Sequence, residues 1–176
     1  MAEGILKEKW TQWVALTTTI IAVCAALSTL KGGSFSTKTQ LLTTQETNKW
    51  SYFQSKSIKQ HMCEEQKIML EIEKTKNPNP ETMNLINKSL ESTTKDIARY
   101  DKEKADIKTE AESLNKAGIE NKKHSGAFLI ATMFLQICIM LSSVGVLINR
   151  RILWYIGVVF GLVGIVYMIN GFVAWF

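Results

Sequence analysis

Hydrophobic residues lie in separate blocks along this chain. Uncharged apolar runs cover about residues 13–30, 127–148 and 152–175, and a segment rich in Lys, Glu, Thr, Ser and Asn lies between the first two. A helix rises about 1.5 Å per residue, so even the shortest run would extend roughly 27 Å. That length suits the hydrocarbon core of a bilayer, which is about 30 Å thick. The pattern predicts three transmembrane helices and one water-exposed insert.

These blocks predict an all-α membrane protein in three parts. Residues 1–31 form an N-terminal tail and the first transmembrane helix, residues 32–125 form the insert, and residues 126–176 form a hairpin of two transmembrane helices. Only Asn149-Arg150-Arg151 separates the last two runs, so the connection is a tight turn. A cleaved signal peptide is the alternative for the first run, because small residues lie near its end, although the run is long for that purpose.

The insert is predicted to be a long antiparallel helical hairpin with its turn at residues 77–80, Asn-Pro-Asn-Pro. Proline lacks a backbone N–H and disfavours the α conformation in the residue before it, so this stretch cannot be helical throughout. From Lys31 to Asn77 and from Pro80 to Gly126 the chain covers 46 positions in each case. The two arms therefore match in length. The sequence leaves open whether Gly32-Gly33 breaks the first helix or only softens it.

The returning arm carries the clearest helical repeat in the chain. Apolar residues recur there at alternating steps of three and four, the spacing of the a and d positions of a coiled coil. The positions of this seam are Met83, Ile86, Leu90, Thr93, Ile97, Tyr100, Lys104, Ile107, Ala111 and Leu114. So narrow a seam predicts pairing with another helix, and the first arm is the nearest candidate.

The first arm has a weaker repeat with which the returning arm could pair. In its distal half Ile58, Met62, Met69 and Ile72 follow the same spacing, with Glu65 at the position between the two methionines. Nearer the first apolar run this seam becomes small and polar. Its positions there are Thr44, Asn48, Ser51 and Ser55. One returning arm cannot cover every apolar residue of the first arm, so we expect a homo-oligomer.

Charge is concentrated in the insert but balanced within it. The chain has a net charge of +5, and residues 31–125 hold 17 of its 21 Lys/Arg and 14 of its 16 Asp/Glu. The two signs alternate along the segment, as on the solvated face of helices. A nucleic-acid-binding surface would instead show a one-sided basic stripe, so we predict no nucleic-acid partner.

An aromatic and polar stretch in the first arm is the candidate interaction surface. Exposed aromatic side chains beside Gln and His residues often mark recognition, whereas the alternative is that the aromatics pack in the helical bundle near the membrane surface. The candidate residues are Asn48, Trp50, Tyr52, Gln54, Lys56, Lys59 and His61. The unidentified partner would be a protein.

No constellation for catalysis, cofactor binding or metal binding is visible. His61, Met62 and Cys63 are soft-metal ligands, but adjacent residues on a helix point in different directions and cannot chelate one ion. Glu64 and Glu65 diverge for the same reason, and neither a phosphate-binding loop nor a nucleophile elbow is present. We therefore expect no enzyme activity and no cofactor.

The apolar runs contain small and polar residues suited to helix packing. Small residues four apart let two helices approach closely in a membrane, and amides hydrogen-bond between them. The predicted packing residues are Gly157, Gly161, Gly164, Gln136 and Asn170. No run contains an Asp, Glu, Lys, Arg or His residue, which weighs against a proton-coupled transporter.

Two stretches resemble an uncharacterised bacterial membrane-protein family, a domain-of-unknown-function family. They are residues 10–16, Trp-Thr-Gln-Trp-Val-Ala-Leu, and residues 48–59, which fit an N-x-W-x-Y-x-Q-x-K-x-I-K-like motif. Phe134-Leu135-Gln136-Ile137, Arg150-Arg151 and Trp154 resemble its later part. The resemblance implies a location in the bacterial cytoplasmic membrane and implies no activity.

Together these patterns predict a multi-pass protein of the bacterial inner membrane. Arg150-Arg151 in the short turn favours a cytoplasmic position for that turn and for Lys7 and Lys9, which would place the insert outside the cytoplasm. Lysines beside the membrane on the insert side, such as Lys122 and Lys123, favour the opposite orientation. We expect an oligomeric structural or interaction protein whose arms contact a partner; the alternative is an oligomeric channel or solute pathway lined by Gln136 or Asn170.

Overall fold

The chain folds into three α-helices. The computed structural model describes the backbone of residues 2–76, 78–173 and 175, and the side chains among these from residue 10 onwards. The helices are α1 (Ala2–Thr75), α2 (Pro80–Leu147) and α3 (Arg151–Val173), and no strand occurs among the described residues. Each helix is long and apolar enough to cross a membrane, as judged by length and composition. The predicted all-helical class is confirmed.

Each of the two long helices, α1 and α2, contains both a predicted transmembrane segment and a predicted arm of the insert. α1 continues without interruption through Gly32-Gly33, so these residues do not break the helix. α2 likewise continues through Gly118. A glycine inside a helix costs only about 1 kcal/mol relative to alanine, which neighbouring turns of good helix formers can offset.

The connection between α1 and α2 lies where the two prolines predicted it. Asn79 caps α2: its side-chain Oδ1 accepts a hydrogen bond from the Thr82 amide at 2.8 Å, and its carbonyl accepts one from the Met83 amide at 2.9 Å. Pro80 follows at the first helical position, where its missing N–H has no consequence. Asn77 lies outside the described residues.

The turn between α2 and α3 is a Schellman motif. Asn149 has a φ of 55°, in the left-handed region that asparagine tolerates better than most residues. Its amide donates to the Val146 carbonyl at 3.2 Å, and the Arg150 amide donates to the Gly145 carbonyl at 2.9 Å. These two bonds satisfy carbonyls at the end of α2 and reverse the chain within three residues.

By contacts the structure divides into two compact units. The terminal unit comprises Met1–Gln40 and Gly118–Phe176, and the arm unit comprises Leu41–Ala117. The boundaries predicted near residues 31 and 125 thus lie within the terminal unit.

Small residues mediate helix packing in the terminal unit. A Cβ atom at Gly161 would lie 2.8 Å from Ile21 Cδ1 and 3.0 Å from Cys138 Sγ, so α3 approaches α1 and α2 closely there. One at Gly164 would lie 2.8 Å from Leu135 Cγ. Such distances leave no room for a larger side chain without movement of the neighbours.

The terminal unit buries a few large apolar side chains, Phe128 and Leu135 among them, together with small and polar ones, and it exposes most of its large apolar residues. Ser28, Ser142 and Asn170 are each no more than 3% exposed. Most large aliphatic residues of the same helices point outward. Examples are Leu16, Ile20, Val23, Leu129, Met133, Val159, Leu162 and Val166. Water-soluble domains show the opposite preference.

In the arm unit the predicted seam of α2 is confirmed. Every one of its ten positions is buried or half-buried. Ile86 is 5% exposed, Ile107 is 6% exposed and Ala111 is fully buried.

The prediction that the apolar series of α1 packs against α2 is wrong. Ile58 is 61% exposed, Met62 is 62% exposed and Met69 is 68% exposed. A second series on α1, here called the inner seam, packs against α2 instead. Its positions are Leu42, Glu46, Lys49, Phe53, Lys56, Gln60, Cys63, Lys67 and Leu70, which alternate in steps of four and three and are all buried or half-buried.

The predicted series, together with Leu41, forms an exposed outer seam. Its positions are Leu41, Thr44, Asn48, Ser51, Ser55, Ile58, Met62, Glu65, Met69 and Ile72, and all are exposed. Successive helical residues are about 100° apart, so the inner and outer seams lie on opposite faces of α1. The prediction failed because the inner seam pairs through charge complementarity as well as apolar contact, which hydrophobic periodicity does not detect.

Two adjacent residues test the burial of the α2 seam. We expect Ile86→Ala to lower the free energy of unfolding of the arms by about 2–4 kcal/mol, because it removes buried methyl groups. Leu85 is 64% exposed, so Leu85→Ala should change the free energy by less than about 0.5 kcal/mol. Thermal unfolding of the full-length protein, followed by circular dichroism in detergent, measures both. Equal effects of the two substitutions would contradict the pairing of α1 with α2 through this seam.

Candidate functional site

The candidate interaction surface divides between two faces of α1. Trp50 and Lys56 are half-buried and belong to the side that packs against α2. The other candidate residues are exposed: Asn48, Tyr52, Gln54, Lys59 and His61. The stretch therefore does not form one surface: one part packs in the arm unit, and the exposed part stays a predicted contact surface.

Trp50 packs within the arm unit. Its ring makes an edge-to-face contact with Phe53, with centroids 5.6 Å apart, and its Nε1 donates a hydrogen bond to Glu46 Oε1 at 3.3 Å. Asn115 of α2 donates its amide to both oxygens of the same carboxylate, at 3.0 and 3.1 Å. Glu46 thus links Trp50 to the facing helix, and Trp50 packs against residues of the same face of its own helix.

Lys56 makes the most enclosed ion pair between the arms. Its Nζ lies 2.6 Å from Glu103 Oε2, which is shielded from solvent, and only 15% of the Lys56 side chain is exposed. The ammonium also lies 5.1 Å from the ring centroid of Tyr52 and 5.5 Å from that of Tyr100. Cation–π attraction adds to the ion pair, since each ring presents a negative face.

The pair shifts the pKa values of both partners. The hydrogen bond to Glu103, followed by that to Tyr52, raises the pKa of Lys56 above its ordinary value of 10.5. The hydrogen bond from Lys56 lowers the pKa of Glu103 below 4.5, and the charges of Arg99 and Lys59 act in the same direction.

Further charge pairs continue this line of contacts. Lys49 of α1 pairs with Glu110 of α2. Arg99 bonds Asp96 at 2.9 Å and approaches Glu103 at 3.6 Å, which orients the carboxylate that receives Lys56. Sequence reasoning missed Glu46, Lys49 and Glu103. The signal that could have found them is the antiparallel matching of opposite charges across a turn at residues 77–80.

The exposed part of the stretch holds no assembled chemical site. His61 Nδ1 lies 3.0 Å from Glu64 Oε2, one helical turn away. Cys63 belongs to the inner seam and is half-buried. Within the part of the chain that the structure describes, no group of three or more His, Cys, Asp or Glu residues could hold a metal ion.

Four of the five predicted packing residues are buried in the terminal unit. Gly157, Gly161, Gly164 and Asn170 lie inside it. Asn170 Oδ1 accepts a hydrogen bond from the Trp175 amide at 2.8 Å, so its side chain caps the end of its own helix. Gln136 is exposed on the outward face of α2, so it does not pack between the helices of this chain.

A hydroxyl-lined cleft in the terminal unit was not predicted. Its volume is about 330 Å³, and Ser28, Gly32, Ser125 and Thr132 contribute to its walls beside Phe128. Ser125 Oγ donates to the Gly32 carbonyl at 3.1 Å, whereas the buried Ser28 hydroxyl has no hydrogen-bond partner among the described residues. The cleft offers hydroxyl donors next to an aromatic wall but no charge. The four-residue spacing of Ser28, Gly32 and Ser36 was the available signal.

The ion pair predicts how the stability of the arms depends on pH. Because the pKa of Glu103 is lowered by folding, its contribution is complete above about pH 5 and is lost as the pH falls through the folded value. The contribution of Lys56 to the stability of the arms is complete below pH 10.5 and is lost as the pH rises through its raised pKa. We expect Glu103→Gln to lower the melting temperature of the arms at pH 7 and to reduce its change between pH 7 and pH 3.

Glu91→Gln is the matched control, because Glu91 pairs with Lys95 of its own helix and not with α1. It should produce the smaller change, as pairs within one exposed helix contribute little. Thermal unfolding of the full-length protein at several pH values measures both variants. If both substitutions changed the pH profile equally, the contact between Lys56 and Glu103 would not stabilise the arms.

Comparison with known proteins gives a family but no activity. The chain matches no curated protein and no solved structure. Residues 10–174 match the family described as Domain of unknown function (DUF4337). Since the match covers nearly all of the chain, the protein belongs to the DUF4337 family.

Proposed function

We propose that this protein is an integral membrane protein that forms homo-oligomers and presents its helical arms to a protein partner. The observation that carries the proposal is the exposed outer seam of α1, which runs along the arm unit on the face opposite α2. A pair of arms that only had to be stable would need apolar residues on the facing sides. The additional exposed row is typical of a contact surface.

The distribution of side chains in the terminal unit supports insertion in a membrane. Lipid chains accept the exposed Leu, Ile and Val residues without the cost that water would impose. Buried glycine and serine residues are typical of transmembrane helix contacts, where close approach replaces hydrophobic burial as the source of stability.

Aromatic and basic residues support an interfacial position for the turn between α2 and α3. The guanidinium of Arg151 lies 6.0 Å from the ring centroid of Trp10, so the start of the first apolar run is near this turn. Trp154 donates its Nε1 to Thr17 Oγ1 at 3.2 Å and contacts Tyr155. Such amphipathic rings favour the headgroup region.

We propose that the turn with Arg150 and Arg151 faces the cytoplasm and that the arms lie outside it. Short loops obey the positive-inside rule most strictly, whereas long inserts are translocated with less regard to charge. The resemblance to a bacterial membrane-protein family supports the cytoplasmic membrane as the location. The side chains of Lys7 and Lys9, which entered the sequence argument, lie outside the described residues.

Cysteine labelling tests this orientation. With Cys63→Ala as the parent, Ser92→Cys places an exposed thiol in the arms, and Ile148→Cys places one beside the turn without removing an arginine. An impermeant maleimide should label only the Ser92→Cys variant in intact cells and should label both after lysis. Labelling of the Ile148→Cys variant alone in intact cells would reverse the orientation.

A channel receives less support from the described residues. The side-chain oxygen of Asn170 accepts a hydrogen bond at the end of its own helix. Gln136 lies on an outward face otherwise rich in aliphatic residues. Neither arrangement provides a continuous polar path. A further polar group, the Ser28 hydroxyl, is buried inside the single chain.

Particle mass in lipid nanodiscs tests the proposal of an oligomer. We expect assemblies of at least two chains of 19.9 kDa. Measurement over a range of lipid-to-protein ratios is the control, since crowding in one disc would disappear on dilution. A strict monomer at every ratio would contradict the proposal.

A further inference from the structure

The outer seam is a complete helix-pairing pattern. It alternates in steps of three and four from Leu41 to Ile72 without a break. Ile58, Met62 and Met69 in its distal half are each more than 60% exposed. The pairing of α1 with α2 does not cover these residues, because the inner seam occupies the opposite side of the helix.

The charges of α1 avoid the neighbourhood of the outer seam. Between residues 41 and 75 the helix has ten charged residues, and seven of them lie on the inner seam or on the remaining sides of the helix. In heptad notation, with Met62 at position a, the flanking e and g positions contain only two charges, those of Lys59 and Glu73. Charges at these flanking positions normally select the partner of a coiled coil. A nearly neutral flank does not repel an identical surface.

We propose that the outer seam binds the outer seam of a second copy of this chain, in parallel and in register. The inference rests on the proposed membrane oligomer and identifies its interface. In every copy α1 would leave the bilayer at the same residues, so two copies would meet in the same direction and at the same height. Identical residues then face each other in each layer.

Most residues of the outer seam are able to pack against the identical residue of a second copy. Ile58, Met62, Met69 and Ile72 would each meet an identical apolar residue. Asn48 occupies an a position, where an amide can both donate to and accept from its copy and fixes register in parallel coiled coils. The serines around it are small and permit close approach of the helices.

Glu65 is the weak layer of this interface. At a d position its carboxylate would approach that of the second copy, which opposes association. In parallel packing a d side chain enters a hole that includes the e residue of the partner helix, here Gln66, whose amide can donate to the carboxylate. The layer lowers affinity, so that pairing depends on confinement of both copies in one membrane.

Disulfide crosslinking in nanodiscs tests both the face and the direction of pairing. The parent is Cys63→Ala, and the three test variants add Ile58→Cys, Met62→Cys or Met69→Cys. The control adds Glu71→Cys, which is exposed but lies off both seams. Parallel pairing in register predicts oxidised dimers in all three test variants and at least about fivefold less in the control. Circular dichroism establishes that each variant retains the helix content of the parent.

The crosslinking pattern and the particle mass together distinguish the possible ways of pairing. Crosslinks at one test position alone would indicate antiparallel pairing and would overturn the proposal. An oligomeric mass without crosslinks at any test position would also overturn it while leaving the proposed oligomer intact. A monomeric mass without crosslinks would contradict both. In native membranes, a crosslinked band of another mass, without the dimer, would show that a different protein occupies the seam.

Removal of the weak layer provides an independent measurement. Glu65→Leu should lower the dissociation constant of the dimer in mixed detergent micelles about tenfold, because it replaces two facing carboxylates with apolar side chains. Glu71→Leu is the matched control, with the same chemical change on the same helix, and should shift the constant less than about twofold. Equal shifts would overturn the assignment of Glu65 to the interface.

Discussion

The pairing of an apolar seam on α2 with a largely polar seam on α1 determines how the arm unit uses its residues. α2 contributes buried side chains such as Ile107 and Ala111, whereas α1 contributes Glu46, Lys49 and Lys56. These three polar residues have partners on α2. Because α1 reaches α2 largely through these contacts, most of its aliphatic residues are left for the opposite face. The exposed outer seam therefore follows from the way in which the inner seam is built.

The terminal unit differs from the arm unit in which side chains it exposes and which it buries. Its exposed surface is aliphatic, and its interior combines small and polar residues with a few large side chains such as Phe128 and Leu135. Gly161 and Gly164 permit α3 to contact Ile21 of α1 and Leu135 of α2. Two compact units with opposite residue preferences thus share the continuous helices α1 and α2. Opposite residue preferences of this kind are expected for the proposed insertion of the terminal unit in a membrane.

Hydrophobic blocks, proline chemistry and a one-sided repeat were sufficient to predict much of this fold. The helical class, the turn before Pro80 and the seam of α2 follow from the sequence, since each depends on a local pattern. The face with which α1 packs does not. Two series with the same spacing lie on opposite sides of that helix, and the more apolar one is exposed. Choosing between them requires the charges of both arms, for example Lys56 with Glu103, to be matched across the turn.

The motif that resembles the family illustrates the same limit. Trp50 and Lys56 belong to the packing of the arms, while Asn48 belongs to the outer seam. Neighbouring residues in a helical motif serve different faces, so a string of recognisable residues is not by itself one surface. A helix that carries a polar inner seam and an exposed outer seam is suited to pairing twice, once within its chain and once with another helix. The repeat on the outer side, and not the motif, therefore defines where association with a second helix is favoured.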